Sequence, residues 1–82
     1  MNTVIWTKDD CKYCALAKQQ LYIRNIRFEE RNLSKGNWSK EQLLKEVPDA
    51  KTVPQIFIRG TYVGGYSELL QYIEDHAMNV DG

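Results

Sequence analysis

Two cysteines, Cys11 and Cys14, are the residues whose type and spacing point most directly to chemistry. Side chains three positions apart on a helical turn lie on nearly the same face. If the pair lies on such a turn, the two Cα atoms are roughly 5–6 Å apart, which is within the range for a disulfide. The spacing therefore predicts a pair that alternates between a dithiol and a disulfide by thiol–disulfide exchange.

The position of the pair favours Cys11 as the attacking group. A strand-like run ends shortly before it, and residues 12–24 contain no Pro or Gly, so a helix is expected to begin at the pair. The unpaired N–H groups and the positive dipole end of a helix N-terminus favour thiolate over thiol, and Lys8 and Lys12 add positive charge. We therefore expect the Cys11 thiolate to attack a disulfide. Cys14, one turn inside the helix and less exposed, is expected to resolve the mixed disulfide.

The cysteine pair could also have a purely structural role or bind a metal. The cysteines could be incidental buried thiols, or they could be half of a zinc site. Structural zinc takes four ligands, whereas the only histidine, His76, is far away in the sequence. A complete zinc site would need carboxylates as well, so we expect no bound metal.

Length, composition and charge restrict the remaining functions. The chain has 82 residues, of which 43% are hydrophobic and 27% charged, and this suffices for one small globular domain, expected to span residues 1–82. The net charge of zero and the lack of a long apolar run argue against binding to nucleic acid or membranes. Two cysteines are too few for a disulfide-stapled secreted domain, and the first residues lack the features of a signal peptide. A cytoplasmic location is therefore expected.

The first half of the chain predicts a strand, a helix and a second strand. Residues 3–6 form a β-branched and aromatic run, and residues 26–30 alternate apolar with polar side chains. Between them, Asp9 and Asp10 are expected at the start of the helix and Asn25 at its end. Two strands joined through a helix favour a right-handed parallel unit.

The second half predicts a helix, a β-hairpin and a final helix. Ser39 and Gln42 form the pattern of a capping box at the start of the second helix. Residues 55–58 and 61–63 are β-rich runs separated by an Arg-Gly pair, which is a hairpin signal. The final helix is expected from Ser67, and its apolar positions are Leu69, Leu70, Ile73 and Ala77. The order β-α-β-α-β-β-α predicts an α/β fold in which three helices flank a four-stranded mixed sheet.

Three motifs stand out along the sequence: Cys11-Lys-Tyr-Cys14, Thr52-Val-Pro-Gln-Ile-Phe-Ile58 and Gly64-Gly-Tyr-Ser-Glu68. They resemble motifs of the glutaredoxin family, which has the thioredoxin-like fold. In the same order, they resemble the family's active site, its Thr-Val-Pro segment and its glutathione-binding Gly-Gly turn, and the likeness covers nearly the whole chain. The resemblance implies a dithiol glutaredoxin, a glutathione-dependent thiol–disulfide oxidoreductase that reduces protein disulfides and glutathione mixed disulfides. Glutathione would be its reductant and co-substrate, with no tightly bound cofactor.

The resemblance also implies where glutathione binds. The Val53–Pro54 peptide bond is expected to be cis, and the Val53 backbone is expected to pair with the cysteinyl unit of glutathione, whose sulfur then lies next to Cys11. The backbone amide of Ser67, at a helix N-terminus, is expected to bind the γ-glutamyl carboxylate. Family members usually have Asp at the next position, where it contacts the amino group of the ligand, and Glu68 keeps that charge on a longer arm. The glutathione-binding residues implied in this way are Lys8, Tyr13, Thr52, Val53, Pro54, Gly65, Tyr66, Ser67 and Glu68.

Some positions are left open by the resemblance. Lys8 is either a solvated loop charge or a residue that approaches the glycyl carboxylate or the thiolate. The contact that the family's second helix makes with glutathione falls on Glu41 or Gln42. The commonest family motif has Pro where this chain has Lys12. The exchange frees φ and restores an N–H, and the added ammonium should favour the Cys11 thiolate.

The partners implied by the resemblance are glutathione and disulfide-containing or glutathionylated proteins, with ribonucleotide reductase among them, and the chain is expected to be a monomer. Two rival functions are open. One is a redoxin that is reduced by thioredoxin reductase rather than by glutathione, although such proteins tend to lack the Gly-Gly-Tyr-Ser turn. The other is a carrier that holds an iron–sulfur cluster between two subunits with glutathione, as some family members without the active-site proline do.

Overall fold

Secondary-structure elements follow one another in the order that the sequence predicts. The computed structural model describes residues 2–76 of the chain. The strands are β1 (Val4–Thr7), β2 (Glu29–Asn32), β3 (Gln55–Ile58) and β4 (Thr61–Gly64), and the helices are α1 (Lys12–Ile23), α2 (Lys40–Glu46) and α3 (Tyr66–Asp75). Ala77, which the sequence places in the final helix, lies outside the described residues. None of these three helices has the length and apolar character that crossing a bilayer requires.

The strands form one mixed sheet in the order β2-β1-β3-β4. β1 runs parallel to β2 and antiparallel to β3, and β4 is antiparallel to β3 at the other edge. The predicted four-stranded mixed sheet is thus confirmed. In the central pair, Trp6 lies opposite Gln55, so the segment that follows β1 and the segment that precedes β3 emerge at the same end of the sheet. Those two segments carry the cysteine pair and the Thr-Val-Pro motif.

Apolar side chains bury both faces of this sheet. Alternation along β1 sends Ile5 to one face and Trp6 to the other. The face of Ile5 packs against α1 and α3, and its buried residues are Ile5, Ala17, Leu21, Ile56, Ile58, Leu69 and Ile73. The face of Trp6 packs against Leu43 of α2 and against Val47 just after it. The two central strands are therefore held from both sides, which fixes the loops at their ends.

The second strand begins three residues later than the sequence predicts. The alternating pattern over residues 26–30 predicts a strand there, whereas β2 is Glu29–Asn32. Because β2 is an edge strand that pairs with β1 alone, its side chains need not be apolar. Ile26 and Phe28 instead pack against the buried cluster from the loop that precedes the strand.

The end of α1 is placed by the residue that the sequence indicates. Asn25 has a positive φ of 57°, and its N–H donates to the carbonyl of Tyr22 at 3.0 Å. The N–H of Ile26 donates to the carbonyl of Leu21, also at 3.0 Å. This pair of bonds is a Schellman motif, which satisfies the last carbonyls of the helix and ends it.

Of the other two helices, one begins as the sequence predicts and the other does not. The capping box of Ser39 and Gln42 is confirmed, with both of its reciprocal hydrogen bonds present. The prediction that the last helix begins at Ser67 is wrong by one residue, because Gly65 is the cap and α3 starts at Tyr66. Leu70 is 40% exposed, so the buried stripe of α3 follows Leu69 instead.

The hairpin between β3 and β4 is confirmed. Arg59 and Gly60 have positive φ values of 51° and 85°, the combination that a two-residue type I′ turn requires. The turn returns the chain along β3, and Gly64 comes to lie opposite Ile56, near the start of that strand. The beginning of α3 is thereby brought to the end of the sheet that carries the cysteines.

A polar network ties α1 to the sheet behind the cysteines. The Glu30 carboxylate accepts a hydrogen bond from the Thr7 hydroxyl at 2.7 Å and forms an ion pair with Lys18 at 3.0 Å. Burial raises the pKa of Glu30, but the hydrogen bonds from Thr7 and Lys18 outweigh it and hold that pKa below its usual value. The network joins β1, β2 and α1 through one charged group.

Candidate active site

Cys11 caps the N-terminus of α1. Its backbone is extended (φ −118°, ψ 104°), and its Sγ accepts a hydrogen bond from the N–H of Cys14 at 3.2 Å. The expectation that Asp9 and Asp10 start the helix is wrong, since neither lies in its first turn. Asp10 has a positive φ of 53°, so the chain turns there and Cys11 becomes the extended residue before the helix. A backbone N–H therefore points at the sulfur of Cys11, which is an arrangement that stabilises a thiolate.

The two cysteines form a disulfide. Their Cα atoms are 5.2 Å apart, within the range expected from the spacing. The pair is asymmetric, because Cys14 is only 2% exposed whereas Cys11 is partly exposed. This confirms the predicted difference in exposure. A second molecule can reach the sulfur at the helix cap more readily than the sulfur inside the first turn.

The backbone that precedes β3 lies against Cys11. The Val53–Pro54 peptide bond is cis, as the resemblance implies, and the Val53 carbonyl oxygen is 3.7 Å from the Cys11 Sγ. In the disulfide this is a contact only, because neither sulfur carries a hydrogen. In the dithiol form, the Cys11 thiol is within reach of the same oxygen as a weak donor. The Thr-Val-Pro segment is thus held beside the sulfur at the helix cap.

A groove of about 470 Å³ runs beside this segment. Its lining residues are Tyr13, Thr52, Val53, Pro54, Gly65, Tyr66, Ser67 and Glu68. The rings of Tyr13 and Tyr66 form part of its wall, with centroids 5.7 Å apart. The fold therefore brings together three separate stretches of sequence: the first turn of α1, the segment before β3 and the start of α3.

Other residues singled out from the sequence lie away from this groove. Lys8 lines a separate depression of about 400 Å³, which includes both cysteines. Glu41 and Gln42 are not among the residues lining the groove, and the Gln42 side chain is occupied by its capping box. Within residues 2–76, no three side chains of His, Cys, Asp or Glu are grouped so that they could hold a metal ion.

Two residues that support the groove were not found from the sequence. Gln55 is only 7% exposed, and its amide donates to the Thr52 carbonyl at 2.9 Å. Its oxygen accepts from the Tyr62 hydroxyl at 2.6 Å. Burial, followed by the charges of Glu68 and Asp49, raises the pKa of Tyr62, so this hydroxyl stays a donor. A polar residue in an inward position of an apolar strand is the signal that could have identified Gln55.

The carboxylate of Glu68 is turned back on the start of α3. Oε1 accepts the N–H of Gly65 at 2.9 Å, and Oε2 accepts the hydroxyl of Ser67 at 3.2 Å. The hydrogen bond from the Gly65 N–H is the main cause that lowers the pKa of Glu68. Because the folded protein favours the charged form, this cap stabilises the fold above the ordinary pKa of a carboxyl group and is lost as the pH falls through the lowered value.

Gly64 is required by the same arrangement. Its φ is +121°, a backbone conformation that residues with a side chain rarely adopt. A Cβ added there would lie 3.0 Å from both the Cβ and the Cγ of Glu68. The backbone conformation and the contact therefore both select glycine.

Gly64→Ala is expected to lower the free energy of unfolding by about 2–3 kcal/mol, because the strain of a positive φ and the contact with Glu68 add together. Gly36→Ala is the matched control. Gly36 has a φ of +88°, but an added Cβ there meets nothing within 4 Å, so a loss of about 1 kcal/mol is expected from the backbone alone. Urea denaturation measures both variants against the wild type. Equal losses would contradict a contribution from the Glu68 contact.

Comparison with known proteins agrees with this geometry. A profile of the glutaredoxin family matches residues 3–63. Glutaredoxin 3 of Escherichia coli is 37% identical over 68 residues, which cover 83% of this chain and 81% of that protein. Hybrid peroxiredoxin hyPrx5 of Haemophilus influenzae is 40% identical over 68 residues, which cover 83% of this chain but 27% of that protein. The chain thus spans about a quarter of the length of the peroxiredoxin.

The fold is also found in solved structures. The crystal structure of a buckwheat glutaredoxin–glutathione complex superposes with a TM-score of 0.80 at 24% identity, covering 94% of this chain and 72% of that one. This likeness establishes a thioredoxin-like fold. Since the family profile matches most of the chain and the motif cysteines form a disulfide, the chain belongs to the glutaredoxin family, with a dithiol Cys11–Cys14 pair.

Proposed function

We propose that this chain is a glutathione-dependent thiol–disulfide oxidoreductase that reduces protein disulfides and glutathione mixed disulfides. The observation that carries the proposal is the asymmetric disulfide at the start of α1, with Cys11 partly exposed at the helix cap and Cys14 buried behind it. Exchange needs one accessible sulfur that can carry negative charge and a second sulfur within bonding reach. The pair meets both requirements.

In the reduction of a protein disulfide, the Cys11 thiolate attacks one sulfur of the substrate. A bond forms between the Cys11 Sγ and that sulfur, the substrate disulfide breaks, and its other sulfur leaves as a thiolate that takes up a proton. Cys14 then loses its proton and attacks the Cys11 Sγ, which releases the reduced substrate and closes the Cys11–Cys14 disulfide. Two glutathione molecules reduce this disulfide and leave as one molecule of oxidised glutathione.

In the reduction of a glutathione mixed disulfide, Cys11 takes over the glutathionyl sulfur and the protein thiol leaves. The thiolate of a second glutathione attacks the glutathionyl sulfur, so oxidised glutathione departs and the Cys11 thiolate is restored. Cys14 takes no part in this route. The protein therefore needs one cysteine for deglutathionylation and two for efficient reduction of protein disulfides.

We further propose that glutathione lies in the groove beside the Thr-Val-Pro segment. Its sulfur must lie at Cys11, and the Val53 carbonyl oxygen, which is 3.7 Å from the Cys11 Sγ, supports backbone pairing with the cysteinyl unit. The start of α3 supports binding of a carboxylate near Ser67, because helix N-termini present free N–H groups. Lys8, in the neighbouring depression, would approach the thiolate or the glycyl carboxylate. The other proposed contacts are Tyr13, Thr52, Pro54, Gly65, Tyr66 and Glu68. Glutathione is the only small molecule that this reaction requires.

The wider assignment rests on family membership. We propose that residues 1–82 act as one glutaredoxin domain and as a monomer, with disulfide-containing or glutathionylated proteins as partners, ribonucleotide reductase among them. A reducing compartment such as the cytoplasm fits this reaction, because the glutathione pool must be kept reduced for turnover.

An assay coupled to glutathione tests this function against its rivals. With NADPH, glutathione reductase and glutathione, the chain is expected to reduce a glutathionylated peptide at least about tenfold faster than glutathione alone does. Replacing glutathione and its reductase by thioredoxin reductase should give less than about a tenth of that rate. The measurement is NADPH oxidation, with a reaction lacking the chain as the control.

The opposite preference would assign the chain to the redoxins that thioredoxin reductase reduces. Visible absorbance of the anaerobically purified protein, bleached by air, together with no turnover in either assay, would favour the iron–sulfur cluster carrier. Either result would overturn the proposed function.

A further inference from the structure

Two consecutive hydrogen bonds connect the edge strand β4 to the backbone that lines the groove. The Tyr62 hydroxyl donates to the Gln55 Oε1 at 2.6 Å, and the Gln55 Nε2 donates to the Thr52 carbonyl at 2.9 Å. Tyr62 lies opposite Phe57 in the register of β3 and β4, and their ring centroids are 5.2 Å apart. Gln55 is two residues before Phe57, on the same face of β3. The hydroxyl of an exposed residue on β4 thus reaches a buried side chain on β3.

The direction of both hydrogen bonds is fixed by the Thr52 carbonyl. A carbonyl oxygen can only accept, so the amide nitrogen of Gln55 must face Thr52 and the amide oxygen must face Tyr62. Because the amide oxygen can also only accept, the Tyr62 hydroxyl has to be the donor. Loss of this hydroxyl would leave the buried Gln55 oxygen without a partner, and the amide would lose the group that holds its orientation.

The hydrogen bond from Gln55 also determines the direction of a backbone donor in the groove. The Thr52 carbonyl and the Val53 N–H belong to one peptide unit, which is trans, so the two groups point in opposite directions. With the carbonyl turned toward Gln55, the Val53 N–H is directed away from that buried amide. Val53 lines the groove, and among residues 2–76 no group accepts this N–H. It is therefore available to a ligand in the groove.

We propose that Tyr62 is a positioning residue for glutathione recognition, which acts through Gln55 to hold the Thr52–Val53 peptide unit so that the Val53 N–H can pair with the cysteinyl unit of glutathione. This rests on the proposed function, because it concerns the same groove and the same ligand. Tyr62 is not among the residues that line the groove, and neither hydrogen bond involves a cysteine. Tyr62 thus sets how well a glutathionyl group is recognised, and the reactivity of the Cys11 thiolate does not depend on it.

The test compares two disulfides of the same peptide in a single turnover of the reduced full chain. One peptide thiol is capped with glutathione and the other with cysteamine, which keeps the disulfide but has no peptide backbone to pair with Val53. At subsaturating substrate, Tyr62→Phe is expected to react with the glutathionylated peptide about fivefold more slowly than the wild type, the effect of one hydrogen bond. With the cysteamine-capped peptide, the two proteins should agree within about twofold. The measurement is the release of the peptide thiol after acid quenching.

Steady-state kinetics separate recognition from reactivity in the same variant. In the glutathione-coupled assay, the KM of Tyr62→Phe for the glutathionylated peptide should rise about fivefold, while kcat stays within about twofold of the wild type. Tyr22→Phe is the matched control, because it removes the hydroxyl of an exposed tyrosine in the last turn of α1, at the end of that helix away from the cysteines. Both parameters should be unchanged in Tyr22→Phe.

A double-mutant cycle shows whether Tyr62 acts through Gln55. Gln55→Leu removes the donor to the Thr52 carbonyl and should slow the reaction with the glutathionylated peptide at least about fivefold. Adding Tyr62→Phe to Gln55→Leu should change that rate by less than about twofold, because the hydroxyl then has no amide to hold. Thermal denaturation checks that each variant is folded. If Gln55→Leu does not fold, the comparison of the two peptides with Tyr62→Phe decides the proposal alone.

The positioning role would be overturned if Tyr62→Phe kept the wild-type rate with the glutathionylated peptide, or if it slowed both peptides equally. A full fivefold effect of Tyr62→Phe in the Gln55→Leu protein would also overturn it. Failure of the proposed function looks different, because the wild type itself would then show no glutathione-coupled turnover and no preference for the glutathionylated peptide over the cysteamine-capped one.

Discussion

Cys11→Ser is expected to lose both protein disulfide reduction and deglutathionylation, each by about a thousandfold or more. A serine hydroxyl is not ionised near neutral pH and cannot form the disulfide bond with which both routes begin. Cys14 is a poor substitute because it is only 2% exposed and lies inside the first turn of α1. The measurement is glutathione-coupled turnover of two substrates, a glutathionylated peptide and a protein disulfide.

A loss of folding must be separated from this loss of chemistry. Cys11→Ser and Cys14→Ser each remove the same disulfide, so the two variants serve as matched controls for stability in thermal denaturation. Treatment with oxidised glutathione should add the mass of one glutathionyl group to Cys14→Ser and none to Cys11→Ser. A Cys11→Ser protein that turns over with the glutathionyl group on Cys14 would reverse the two roles.

Elements with a local signal could be predicted from the sequence. The capping box of Ser39 and Gln42 needs two residues of one helical turn, and the end of α1 needs a residue that tolerates a positive φ, which Asn25 supplies. The second strand was misplaced because its pairing is not local. β2 lies at the edge beside β1, so its polar residues are tolerated, and the more apolar stretch with Ile26 and Phe28 is used for packing instead.

The site could be predicted where it depends on spacing and motif, and not where it depends on the direction of a side chain. The spacing of three between the cysteines correctly predicted that their Cα atoms lie within disulfide range. The Cys-x-x-Cys, Thr-Val-Pro and Gly-Gly motifs are the three stretches that meet at the groove. That Cys11 itself caps α1 was missed, because the aspartates before it are the usual capping residues and cysteine is not. The return of the Glu68 carboxylate to Gly65 was also missed, because the helix was expected to start at Ser67 and Gly65 was not identified as its cap.

The folding of the chain brings separated motifs into one site. β1 and β3 are neighbours, and Trp6, next to the last residue of β1, lies opposite Gln55 at the start of β3. The loop that leads to Cys11 and the segment that ends in Pro54 therefore emerge together, before any side chain of the site is considered. The buried amide of Gln55 then fixes the Thr52 carbonyl by donating a hydrogen bond to it, and the Tyr62 hydroxyl holds that amide by donating to its oxygen. The position of the groove is thus set by the strand register together with the hydrogen-bonded Gln55–Tyr62 pair.

Cys14→Ser is expected to separate the two activities that Cys11→Ser removes together. Deglutathionylation should stay within about threefold of the wild-type rate, because a second glutathione releases the Cys11 adduct without help from Cys14. Reduction of a protein disulfide should fall at least about tenfold. In the wild type, the Cys14 sulfur is held close to the Cys11 sulfur, because the two Cα atoms are only 5.2 Å apart. In the variant, free glutathione must instead reach a mixed disulfide that the bound protein substrate covers.

The dependence of the reduction rate on the glutathione concentration tests this prediction more directly than a comparison of rates at one concentration. In Cys14→Ser, the rate of protein disulfide reduction should rise in proportion to glutathione, because glutathione now resolves the mixed disulfide in a bimolecular step. In the wild type, resolution is intramolecular, so release of the substrate is independent of glutathione in a single turnover of the reduced enzyme. The mixed disulfide with the protein substrate should accumulate in Cys14→Ser and be visible on a non-reducing gel. If Cys14→Ser reduced protein disulfides at the wild-type rate with no accumulated adduct, Cys14 would not be the resolving residue, and its burial at the first turn of α1 would be purely structural.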